Sequence, residues 1–127
     1  MGLPDKGQMA GQAMYEAAKA GEFRMPEDGA LRLAATCDKL ADGLVDEIAA
    51  AQRLTRVTGF ADLPSGRGLT QGFSKKGQEY MDTLAAFRET ALRYKAAYLA
   101  AGKKFTEADA ANKAAIKATA NYLEGDV

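Results

Sequence analysis

The chain of 127 residues has no histidine, no tryptophan, one cysteine and three prolines, and its 17 basic residues balance its 17 acids. Each shortage excludes something. Without histidine there is no imidazole acid or base, no Ser-His-Asp or Cys-His triad and no ordinary zinc site. No catalytic residue, metal ligand or cofactor is therefore nominated. Cys37 has no second thiol to pair with, and its place between Leu33 and Leu40 reads as that of a small buried hydrophobe. A nucleic-acid binder carries a basic excess, and a neutral chain does not. No apolar run approaches the roughly 20 residues of a membrane-spanning helix, so no integral membrane segment is expected. Scarce Val and Ile argue against a sheet. Met1 to Lys6 lack the charged-then-apolar design of a signal peptide, so export by the general secretory route is not expected.

What remains is rich in Ala, Leu, Lys, Glu and Gln, which lose little side-chain entropy in a helix. The fold class expected is all-α. Tyr80, Leu84, Phe87, Ala91, Tyr94, Tyr98, Ala101 and Phe105 recur at alternating steps of four and three, one stripe of a long helix. Leu33, Cys37, Leu40, Leu44, Ile48, Ala51 and Leu54 keep nearly the same rhythm earlier in the chain. The sequence predicts one domain: residues 1–22 flexible with a short helix ended by Gly21, a first long helix over 26–57, a turn over 58–68, a second long helix over 69–101 and a tail helix over 106–122. Pro26 suits a helix start, with Glu27 and Asp28 complementing the dipole. Pro64, Gly66 and Gly68 mark the break. Asp38, Asp42 and Asp46 repeat every four residues and read as a solvated face or a charge seam, not a cation site.

An antiparallel two-helix hairpin has one seam and leaves its flanks open. Leu31, Val45, Met81, Leu92 and Leu99 lie off that seam. Either the short terminal helices fold back over them, or a second hairpin completes a four-helix bundle by dimerisation. The short helices hold few large apolar residues, which favours the second solution, as a homo- or heterodimer. The expected helix–helix interface comprises Leu33, Leu40, Leu44, Tyr80, Leu84, Phe87, Tyr94 and Tyr98. The five methionines suit an adaptable contact surface.

Four stretches carry a family resemblance: Phe23-Arg24-Met25-Pro26-Glu27 leading to Leu40-Ala41-Asp42; Gly59 to Gly66 through Leu69-x-x-Gly72-Phe73; Phe87-Arg88 through Tyr98-Leu99-Ala100-Ala101-Gly102; and Phe105 to Asn112. Over about residues 23 to 126 the chain resembles the small helical-hairpin substrates of the type VII (ESX) secretion system, found mainly in actinobacteria. With no tryptophan it resembles a Trp-less relative of the Trp-x-Gly superfamily. The resemblance implies a non-enzymatic protein secreted without a cleavable signal peptide, paired with a protein partner and handled by a secretion ATPase. It also implies a signal after the second helix, Tyr followed four residues on by an acid. Tyr122 and Asp126 match it, and Phe105 with Asp109 is the second candidate. That spacing puts ring and carboxylate one helical turn apart. The rival reading is a cytosolic, self-associating helical bundle acting as an adaptor or structural protein.

Overall fold

The computed structural model describes residues 2–125, and every element among them is helical. Four α-helices follow in order: α1 (Gln8–Lys19), α2 (Glu27–Ala51), α3 (Pro64–Ala101) and α4 (Phe105–Leu123), with a 3₁₀ turn at Gln52–Thr55. Helix α3 is the axis. At 38 residues it spans about 57 Å, and the other three helices each pack on it. Helix α2 runs antiparallel to α3: Ala30 lies against Gly102, Asp38 bonds Lys95 at 2.9 Å, and Leu54 lies against Gly77. Helix α4 also runs antiparallel, from Ala108 among Ala96–Ala101 to Tyr122 beside Gln78 and Asp82. Helix α1 runs parallel to α3, with Gly7 against Thr90 and Gly11 against Arg93.

Thus one chain supplies four packed helices, and no second hairpin is needed to complete the bundle. The terminal helices manage this through alanine. Ala30, Ala86, Ala96, Ala97, Ala108 and Ala115 are 0% exposed, while among the large apolar side chains of the described residues Ile48, at 2%, is the most deeply buried. Small side chains let helix backbones approach, so contact is made by many short residues instead of a few long ones. Met81, Leu92 and Leu99, expected as open flanks, are buried in the clusters that α2 and α4 help to form. The segment before α1 is also engaged, because Leu3 packs beside the Ile48–Tyr122 cluster.

Several predicted boundaries move. The first long helix ends as α-helix at Ala51, not 57, and tightens into the 3₁₀ turn. The break is shorter than 58–68, because α3 already starts at Pro64. Proline lacks only an N–H that the first turn leaves free, so here it opens a helix. The chain-reversing signals at Gly21 and Gly102 both act as expected. Gly21 has φ 81°, and Glu22 N–H donates to the Ala17 carbonyl at 2.8 Å. At the end of α3 the left-handed residue is Lys103 (φ 64°), with Lys104 N–H donating to Leu99 and Lys103 N–H to Ala100. Gly102 is needed there for space: a Cβ on it would stand 2.6 Å from that of Ala30. Gly77 plays the same part under the 3₁₀ turn, where a Cβ would fall 2.1 Å from the Leu54 carbonyl oxygen.

Candidate functional site

Viewed along α3, two of its neighbours close one side. Tyr15 of α1 donates a hydrogen bond to Asp109 of α4, and Lys19 pairs with the same carboxylate at 3.3 Å. Helices α4 and α2 flank a shallow groove of about 460 Å³ whose lining includes Leu31, Ala34, Leu99 and Ala111. On the remaining side, between α2 and α1 with the segment that leads into α1, no helix among the described residues covers α3. The heptad residues named from the sequence gather there. Leu33 and Leu40 of α2 and Tyr80 and Phe87 of α3 remain exposed, Leu40 by 56% and Phe87 by 44%. Cys37, Leu44, Tyr94 and Tyr98 are half-buried between them. The Tyr94 and Tyr98 rings lie 6.1 Å apart, and Phe23 meets Tyr98 edge-on at 6.4 Å.

The physical reason is a one-notch rotation. The true α2–α3 seam uses Ala34, Ala41, Ile48 and Ala51 of α2 against Leu84, Ala91 and Leu92 of α3. The bulky heptad residues are turned toward its edge. Of the eight nominated interface residues, Leu84 alone is buried inside the chain (8% exposed) and is not open to a partner. The other seven line one face with a straight stripe, Tyr80, Phe87 and Tyr94, about 21 Å long. Burial raises the pKa of the Cys37 thiol, and Asp38 adds to this, so the thiol stays protonated. Tyr98 is likewise raised, first by burial and then by Cys37 and Tyr94.

The two candidate signals are placed very differently. Tyr122 is buried on α3, where its hydroxyl donates to Asp82 Oδ1 at 2.6 Å and accepts from Gln78 Nε2 at 3.4 Å. Its pKa is driven far upward by burial and by that carboxylate. Asp126 lies outside the described residues. Phe105 opens α4 and is 44% exposed. Asp109, one turn on, is half-exposed, and its carboxyl is held below the usual range by the Tyr15 hydroxyl and Lys19. Sequence reading missed Gln78, Asp82 and Tyr15, because partners 40 to 94 residues apart leave no local signal.

Asp38 is tied to Lys95, and Asp42 and Asp46 are exposed. Among the described residues no group of three or more Cys, Asp and Glu is placed to hold a metal ion, and no helix is long and apolar enough to cross a membrane. Beyond Tyr80 the open face runs into a cleft of about 560 Å³ lined mainly by Leu54, Val57, Phe60, Phe73 and Gly77. Comparison with known protein families, with curated proteins and with solved structures finds no match.

Proposed function

We propose that this protein acts by association and not by catalysis, receiving an amphipathic helix of a protein partner in the open face between α1 and α2. The observation that carries this reading is the half-exposure of Leu33, Leu40, Tyr80 and Phe87 along the edge of a seam that is itself packed largely through alanine. With the half-buried tyrosines and Leu44, the face leaves apolar area on the order of 500 Å², the size of the largest patch on a typical monomer, which is often a functional one. Rows spaced by seven residues on two neighbouring helices make parallel apolar stripes, the register against which a partner helix can lay its own apolar stripe.

The resemblance extends this to export: a type VII substrate that leaves the cell paired with its partner. Within that reading Phe105 and Asp109 are favoured over Tyr122 and Asp126 as the signal. Phe105 is exposed and Asp109, one turn on, is half-exposed with its carboxylate bonded to Tyr15 and Lys19, whereas the Tyr122 ring is buried and must leave α3 before a receptor can grip it.

A photo-crosslinking residue in place of Phe87, expressed in the native host, tests the association. A defined adduct from position 87, absent from the exposed position of Lys113 on α4, is the expected result. Equal labelling from both positions, or none, refutes the open face as an interface. An adduct of twice the chain's mass, with no chain in the culture filtrate, favours the rival self-associating adaptor. Export is tested by Phe105→Ala: secretion at the wild-type level removes that residue as a signal.

A further inference from the structure

The end of the bundle farthest from Gly102 has a character of its own. Helix α4 stops at Leu123, beside Gln78 and Asp82, so the first turns of α3 project past it. Only the 3₁₀ turn and the connection over 56–63 accompany them. On this tip Phe60 stacks on Phe73, ring centroids 5.9 Å apart and planes 3° from parallel, yet both rings are more than 40% exposed. Leu54, Leu63 and Leu69 are exposed beside them. These residues come from three segments and converge at an end, whereas the open face is a line along the flank.

Charge is concentrated at the same end. Between 52 and 78 stand Arg53, Arg56, Arg67, Lys75 and Lys76 against the single acid Asp62. All five cations are exposed. Arg67 is paired with Asp62 at 2.7 Å and Lys76 with Glu79 at 3.2 Å, whereas Arg53, Arg56 and Lys75 form no ion pair among the described residues. The chain as a whole is neutral, so everything outside this segment is acidic, sixteen acids (17 less Asp62) to twelve bases (17 less those five).

We infer that the tip is a docking surface for an anionic lipid bilayer, meeting it end-on. Exposed rings and leucines supply apolar groups for the headgroup boundary, and long Lys and Arg side chains keep their charges at the phosphates. The acidic body is repelled by the same surface, which orients the chain with its tip down. A flat, negatively charged plane accepts a convergent apolar end ringed by cations, whereas a single partner helix matches a linear apolar stripe. This surface adjoins the partner face at Tyr80, and it does not depend on the partner proposal.

The test uses the full chain and vesicles of phosphatidylcholine alone, or of three parts phosphatidylcholine to one of phosphatidylserine. The chain has no tryptophan, so Phe73→Trp gives a single emission reporter at an exposed position. The expected result is co-sedimentation of the wild-type chain with the phosphatidylserine vesicles only, weakened by salt, with a blue shift of the Trp emission. Replacing Arg53, Arg56 and Lys75 together by Gln lowers partitioning by about fivefold per cation removed. Leu40→Glu with Phe87→Glu leaves it unchanged, which separates this surface from the partner face. Binding to neither vesicle, equal binding to both, or undiminished binding by the triple variant overturns the inference.

Discussion

Tyr122 closes the bundle by donating its hydroxyl to Asp82, 40 residues earlier, at 2.6 Å. This bond fixes the last turn of α4 against α3 beside Ile48 and Leu84. A hydrogen bond to a carboxylate contributes about 1.5–3 kcal/mol. Tyr122→Phe keeps the ring and is expected to lower stability by about 1–2 kcal/mol in urea unfolding. Tyr122→Ala also empties the ring's site and costs about 3–5 kcal/mol. The phenolic pKa is raised in the folded chain, so its contribution is complete below the unfolded value of 10.0 and fades as pH climbs above it. The Tyr122→Phe chain therefore shows a shallower alkaline loss of stability. An unchanged alkaline limb excludes this bond as its origin.

The opposite pH limb involves Asp109. Its carboxyl is depressed by Tyr15 and Lys19, so its contribution is present above the ordinary carboxylate range and disappears as pH falls through the folded value. Asp109→Asn melts earlier than wild type at about pH 7, and the gap narrows as pH falls below the ordinary carboxylate range. Parallel melting temperatures across that range count against the α1–α4 link.

Glycines of α3 separate into two kinds. Gly77→Ala drives a methyl into the Leu54 carbonyl and is expected to destabilise by at least about 2 kcal/mol. Gly72→Ala meets nothing within 4 Å and removes backbone freedom from a helix interior, so it stabilises by about 0.5–1 kcal/mol. Denaturant midpoints of the two variants that move in the same direction contradict the close approach of the 3₁₀ turn.

Bulk and charge have opposite effects on the two faces of the seam. Leu40→Glu and Phe87→Glu sit on the open face and shift the unfolding free energy by no more than about 0.5 kcal/mol each, and Leu40→Glu abolishes the crosslink formed from position 87. Ala96→Leu enlarges a side chain with 0% exposure and costs about 1–3 kcal/mol or more. A cooperative, wild-type melt for Ala96→Leu excludes alanine-mediated close packing around α3.

Much of the architecture is written locally. The seven-residue spacing of Tyr80, Phe87 and Tyr94 announces a long helix, Gly102 announces its end, and Gly21 announces the end of α1. The spacing also collects the exposed face, since residues on one stripe stay together whichever way the helix turns. Its depth in the fold is not local. Bulk made Leu33, Leu40 and Phe87 look like the seam, yet Ala34, Ala41 and Ala91 pack closer because they are small. The apolar content of the tail is mostly alanine, too small to announce a core face locally, and that same alanine lets α4 lie flat on α3.

Helix content, the stops at Gly21 and Gly102 and the grouping of apolar residues into stripes were determined by the sequence alone, because backbone propensity, chain-reversing residues and periodicity act within a few turns. The rotation of each helix, the burial of Tyr122 on Asp82, the vacancy between α1 and α2 and the gathering of apolar and basic groups at one end were decided only by tertiary packing. Those outcomes depend on how closely two backbones can approach, a property of helix pairs that no single stretch of chain contains.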